Sequence, residues 1–90
     1  MTEITDAELA EIERRAAAAT EGPWEAFVEG RDHWGGDDFI RTGGVDSDSP
    51  DMYVSLDSRK AGSNDLDFIA SARQDVLRLV AEVRRLRARQ

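Results

Sequence analysis

The sequence predicts an α+β fold: a two-layer domain of order α-β-β-β-α, with a three-stranded antiparallel meander flanked by an N-terminal helix and a long C-terminal helix. Three observations carry this expectation. Apolar residues step by three and four near both ends, they alternate in the middle, and a Gly-Pro pair and a polar linker separate these regimes. The 90 residues fit one domain, 1–90, divided into a helix and its stop (1–23), a strand-rich middle (24–57) and a long helix (64–88). A chain this short buries little more than roughly 60% of its unfolded surface, so it supports one modest core.

The first helix announces its own start. Thr5 and Glu8 have the spacing of a capping box, and Ile4 before the cap can staple onto Leu9. Leu9, Ile12, Ala16 and Ala19 then share one face, and the Ala16–Ala19 run lets a neighbour approach closely. Gly22-Pro23 is the expected stop, since proline cannot continue the hydrogen-bond ladder.

In the middle, Trp24, Ala26 and Val28 alternate with Glu25, Phe27 and Glu29, the period of a strand. A turn-rich stretch, Gly30 to Gly36, precedes a second short strand over 38–42. After the Gly43–Asp51 loop, a third strand over 51–56 places Met52, Val54 and Leu56 on one side. Consecutive short strands pair as a meander, and two helices are available to cover one face.

A polar linker over 58–63 leads to the last helix, where Asn64 is a candidate cap and Asp65 and Asp67 suit the first turn. Ile69, Ala72, Val76, Leu79, Val83 and Leu86 form a strict heptad seam. Such a helix spans about 37 Å, whereas strands of five residues reach only about 17 Å. Its last turns therefore call for a further partner. That partner is either the first helix of the same chain or a second copy through Val76, Leu79, Val83 and Leu86, with the expectation leaning to the homodimer.

Composition bounds the function. The net charge is −7, but it is unevenly placed: residues 1–72 hold 17 acids against 6 bases, and residues 73–90 hold 6 arginines against 2 acids. An acidic body repels nucleic-acid backbones, so nucleic acid is an unfavoured partner. The arginines at the end suit the helix dipole. No cysteine is present, which removes disulfides, thiolate chemistry and cysteine zinc sites. No apolar run approaches the roughly 18 residues of a membrane helix, and the acidic start carries no signal-peptide pattern. A cytoplasmic protein without a membrane partner is the expectation.

Candidate chemistry is scarce. His33 is the only histidine, and its glycine-rich surroundings favour a solvated loop residue over a catalytic base. Asp46, Asp48 and Asp57 match positions 1, 3 and 12 of a calcium loop, but Pro50 and Asp51 stand at positions 5 and 6 and no helices flank it, so it reads as a polar hairpin loop. Gly35-Gly36 and Gly43-Gly44 lie between strands and read as turns. No metal, cofactor or catalytic set is implied.

The aromatic residues are more informative. With Trp24, Ala26 and Val28 facing the helices, Phe27 faces away, as does Tyr53 opposite Met52 and Val54. One of Phe39 and Ile40 must join them, and Trp34 sits in a loop. The uncovered face of an antiparallel sheet is normally polar. An aromatic patch rimmed by Glu25, Glu29 and Arg41 is instead the signature of a binding surface. The expected partner-binding residues are Phe27, Trp34, Phe39, Arg41 and Tyr53.

Two segments carry a resemblance. Ala19-Thr20-Glu21-Gly22-Pro23-Trp24, and Asp67-Phe68-Ile69-Ala70-Ser71-Ala72-Arg73-Gln74-Asp75-Val76-Leu77-Arg78-Leu79 near the other end, resemble small proteins of phages, prophages and actinobacteria. In their pattern a helix ends in Ala-Thr-Pro-Gly-Pro-Trp, the middle varies, and the closing helix reads Asp-x-x-Phe-Ile-Ala-x-Ala-Arg-x-Asp-Val-Pro-x-Leu. Glu21 and Leu77 replace prolines of that pattern. The resemblance covers both ends, about half the chain, and implies a phage-linked accessory protein that acts on a host protein; it supplies no catalytic residues. Physically, the matched ends read as scaffold, with Trp24 at the helix–sheet junction and Phe68, Ile69 and Ala72 packed around its indole. Two other functions fit the composition. One is an oligomeric protein sequestering a small ligand or nucleotide, with Arg31, Arg41 and Lys60 on phosphates and Trp34 or Tyr53 stacked on a base. The other is an acidic mimic of DNA, which the arginine-rich end opposes.

Overall fold

The computed structural model of the chain describes residues 3–89; Met1, Thr2 and Gln90 lie outside them. Helix α1 (Asp6–Ala18) is followed by strands β1 (Glu25–Phe27) and β2 (Phe39–Arg41) and by helix α2 (Ser63–Arg87). The class is α+β, with a two-stranded antiparallel sheet where three strands are expected.

The third segment stops short of a strand for a local reason. Ile40 and Met52 exchange both backbone hydrogen bonds, at 2.9 and 2.8 Å, in an isolated antiparallel bridge. Extending that register would pair Thr42 with Pro50 and Asp38 with Val54. Pro50 has no N–H to offer, and its carbonyl instead accepts from the Thr42 hydroxyl at 2.8 Å. The Val54 carbonyl accepts from the Ala61 N–H at 3.1 Å, within a tight turn that pairs Ser55 with Lys60. This turn also carries Leu56 off the inner face and leaves it exposed.

The inner face otherwise follows the alternation. Ile40, Ala61, Leu66 and Ala70 form the buried cluster, and Trp24, Ala26, Val28, Met52, Val54 and Ile69 pack against it. Register pairs Glu25 with Arg41, Ala26 with Ile40 and Phe27 with Phe39. Ile40 is therefore the inward member of its pair and Phe39 the outward one.

Thr5 caps α1 with the complete capping box. The helix ends at Ala18, before the Gly22-Pro23 stop: Ala19 turns to an extended backbone, φ −67° and ψ 161°, and its N–H donates to Ala16 O. The Trp24 indole N–H donates to the carbonyls of Thr20 and Glu21, at 3.0 and 3.2 Å. Arg73 Nε also donates to Thr20 O at 3.0 Å, and the Gly43 N–H donates to Glu21 O at 2.7 Å. Gln74 completes the joint. Its carboxamide accepts from the Trp24 N–H at 2.8 Å and donates to the Trp24 carbonyl at 3.1 Å, taking the place of a strand beside β1. Such plugging blunts an open sheet edge. Phe68, expected against the Trp24 indole, is instead 75% exposed.

Gly62, not Asn64, is the N-cap of α2, and it makes no side-chain cap bond. The first half of α2 covers the sheet. The second half runs antiparallel to α1, with Leu9 and Val80 buried and with ion pairs from Arg84 to Glu13 at 2.7 Å and from Arg87 to Asp6 at 2.6 Å. Exposed pairs of this kind contribute at most about 1 kcal/mol, so burial holds the hairpin. The heptad seam is thus divided: Val76 and Val83 are half-buried, while Leu79 and Leu86 remain exposed.

Candidate functional site

The outer face of the sheet carries an aromatic cluster built by register. Phe27 and Phe39 are cross-strand partners, and their rings stack with centroids 5.2 Å apart and planes 8° from parallel. Arg41 lies with its guanidinium carbon 4.6 Å from the centre of the Phe27 ring. Its cross-strand partner Glu25 accepts a 2.6 Å hydrogen bond from Arg41 Nη2, which fixes the guanidinium over the ring. Tyr53 continues the row, tilted 45° with its ring centre 6.1 Å from that of Phe39. Four of the five predicted residues, Phe27, Phe39, Arg41 and Tyr53, therefore form one surface. Trp34, 83% exposed in the β1–β2 loop, makes no ring pairing with them.

His33 joins the cluster, which corrects the expectation of a solvated loop residue. Its ring lies 5.5 Å from Phe39. The loop returns it there because the Gly30 N–H donates to His33 O at 2.8 Å and the Val28 N–H donates to the Asp32 carboxylate at 2.8 Å. Nδ1 lies 3.1 Å from the Gly35 carbonyl, so the ring is engaged in packing. The sequence signal was the Asp32-His33 placement four and five residues after Val28, readable only with the strand end known. His33 Nε2 and Arg41 Nε are buried without a hydrogen-bond partner among the described residues, and both belong to this cluster.

Beside Tyr53 the surface dips into a hollow of about 140 Å³ lined by Asp37, Asp38, Tyr53, Val54, Ser55, Lys60, Ala61 and Leu66. Lys60 is ion-paired with Asp37 at its edge, which raises the pKa of the Lys60 ammonium. Arg31 forms a two-pronged bridge to Asp67 at the start of α2, both bonds 2.9 Å, and also reaches Asp32. Hydrogen bonds from Arg31 hold the carboxyls of Asp67 and Asp32 below the usual range. Arg31, Arg41 and Lys60 are thus each neutralised by a carboxylate. Among the described residues, no group of three or more His, Cys, Asp or Glu side chains could hold a metal ion, and no helix is long and apolar enough to cross a membrane.

Comparison of the chain with protein-family models, with curated proteins and with solved structures gave no match.

Proposed function

We propose that this chain is a non-enzymatic binding protein that acts by occupying a partner protein through the outer face of its sheet. The single observation that carries the reading is the position of Tyr53. It is 63% exposed, with the stacked Phe27–Phe39 pair on one side and the hollow of about 140 Å³ on the other. An exposed tyrosine beside a small depression with an apolar floor of Val54, Ala61 and Leu66 and a rim of Asp37, Asp38 and Lys60 suits an interface anchor, where one partner side chain fills the depression and the ring covers it. The hollow is well below the roughly 300 Å³ at which small-molecule sites begin. With Arg31, Arg41 and Lys60 already paired to carboxylates, this favours a protein partner over a nucleotide. The acidic body favours a basic partner surface, and it also suits a DNA mimic; the arginine-rich end of α2 weighs against the mimic. Taken with the resemblance of its two ends to small phage and prophage proteins, the setting is a phage-linked accessory factor acting on a host protein in the cytoplasm.

The test is affinity capture from host lysate, followed by a measured dissociation constant for the captured protein. Phe27→Ala with Tyr53→Ala should weaken that binding at least tenfold while the far-ultraviolet circular dichroism stays native. Trp34→Ala, on the adjoining loop, should weaken it less. A folded double variant that binds with wild-type affinity refutes the surface assignment.

A further inference from the structure

The two-helix half of the molecule has a side that nothing among the described residues covers. Beside the α1–α2 seam, Ile4, Leu9, Ile12, Val76, Leu79, Val80 and Val83 line an open, wholly apolar groove of about 220 Å³. Leu79 stands 63% exposed at its border, and Leu86, one heptad further along the same stripe, is 47% exposed. Shape gives the same message at larger scale. The radius of gyration is 15.9 Å, against roughly 12 Å for a compact chain of this length. The accessible surface is 6654 Å², whereas a compact monomer of 10.0 kDa exposes roughly 5,200 Å². The difference, about 1,400 Å², exceeds the roughly 800 Å² that each partner gives to a standard interface.

Two features say what covers the face. First, groove and protruding leucines lie side by side on one surface, which is what an interface between identical copies requires, because each copy must supply both knob and hole. Second, the two helices carry opposite net charge, which the pairs Arg84–Glu13 and Arg87–Asp6 within the chain leave within reach of a facing copy because all four side chains remain partly exposed to solvent. Asp6–Ala18 holds four acids and two arginines, and the stretch of α2 from Arg73 to Arg87 holds five arginines and two acids. A two-fold axis parallel to the helices lays the acidic helix of one copy on the basic helix of the other. An axis perpendicular to them, in the plane of the interface, sets like against like. We propose that a second copy of this chain covers the groove, giving an antiparallel four-helix bundle in which α1 of each copy lies on α2 of the other.

This assembly does not depend on the sheet face, and its test reads mass instead of partner binding. Light scattering on the full chain at low salt, from micromolar to millimolar concentration, should give twice the 10.0 kDa monomer. Leu79→Glu and Leu86→Glu alter exposed positions, so helical circular dichroism should persist while the dimer dissociation constant rises at least tenfold in each. Tyr53→Ala should remain dimeric. Added sodium chloride should weaken the dimer, since opposite helix charges are screened. A monomer at millimolar concentration, or a dimer indifferent to both glutamates, overturns the proposal; a dimer that salt leaves unchanged overturns the α1-on-α2 arrangement.

Discussion

Gln74 offers the sharpest test of how the two halves of the molecule are joined. Its carboxamide satisfies both the N–H and the carbonyl of Trp24 from fifty residues away. Gln74→Ala removes both bonds and leaves a part-buried donor and acceptor on the edge of β1. Each bond is worth about 1 kcal/mol net, and stranded buried groups cost up to about 3 kcal/mol more where water cannot reach them. Trp24 is only half-buried, so water recovers much of the second cost, and the expected loss is about 2–3 kcal/mol. In a domain of this size that lowers the melting temperature by about 10–20 °C. Urea denaturation followed by Trp24 fluorescence, in a Trp34→Phe background, measures it. Gln74→Glu supplies the control. Ionised, it can accept from the Trp24 N–H but cannot donate to the carbonyl; protonated, it can do both. Its deficit relative to wild type should therefore shrink as pH falls. A Gln74→Ala variant within about 0.5 kcal/mol of wild type, the range of neutral surface changes, would refute the idea that this carboxamide stands in for a strand.

Two further predictions concern the loops. Gly43 has φ +75°, and a Cβ there would lie 2.8 Å from Ser47 Cβ and 2.8 Å from Ser49 Oγ, whereas Gly30, with φ +85°, has nothing within 4 Å. Both Gly→Ala changes incur the left-handed backbone cost of about 1–2 kcal/mol, but only Gly43→Ala adds crowding, so its urea midpoint should fall further; equal losses would contradict the packing of that loop. The Arg31 bridge gives a pH dependence. The folded pKa values of Asp67 and Asp32 lie below their ordinary 3.8, so the unfolded chain binds more protons between the two states' values. Their contribution is present above about pH 4 and is lost as pH falls through the folded values. Arg31→Gln should raise both carboxyl pKa values in an NMR titration and flatten this acid limb; unchanged titration would remove the bridge as their cause.

What the sequence made legible follows from the range of the interactions involved. The capping box of α1, the inward set of Trp24, Ala26, Val28, Met52 and Val54, and the outward Phe27 and Tyr53 depend on neighbours a few residues apart, and periodicity exposes them. The joint after α1 and the lost third strand depend on distant competitors for backbone groups. Arg73 and Trp24 claim the carbonyl of Thr20, and Ala61 claims that of Val54. Gln74 lies within the long helical stretch, and a glutamine on a helix gives no sign that it will complete a sheet edge. His33 was misjudged for a similar reason: Asp32 and Gly30 fold its loop back through bonds that composition does not reveal.

The segments 19–24 and 67–79, far apart in the chain, meet in space. Thr20 and Trp24 of the first segment are bound directly to Arg73 and Gln74 of the second, and the Glu21 carbonyl accepts from the Trp24 indole within the first. Gly22 also lies against Arg73, where a methyl group would stand in ordinary contact 3.5 Å from Arg73 Cγ. The two segments form a single joint, placed on α2 between the half that covers the sheet and the half that pairs with α1. A joint of this kind fixes the sheet against the helical hairpin while leaving the outer residues Phe27, Phe39 and Tyr53 free of structural duty on the inner face. The same joint also separates the aromatic face from the Leu79–Leu86 stripe along one rigid helix of about 37 Å. Substitutions on the two surfaces should therefore act independently, because they share neither a contact nor a flexible element.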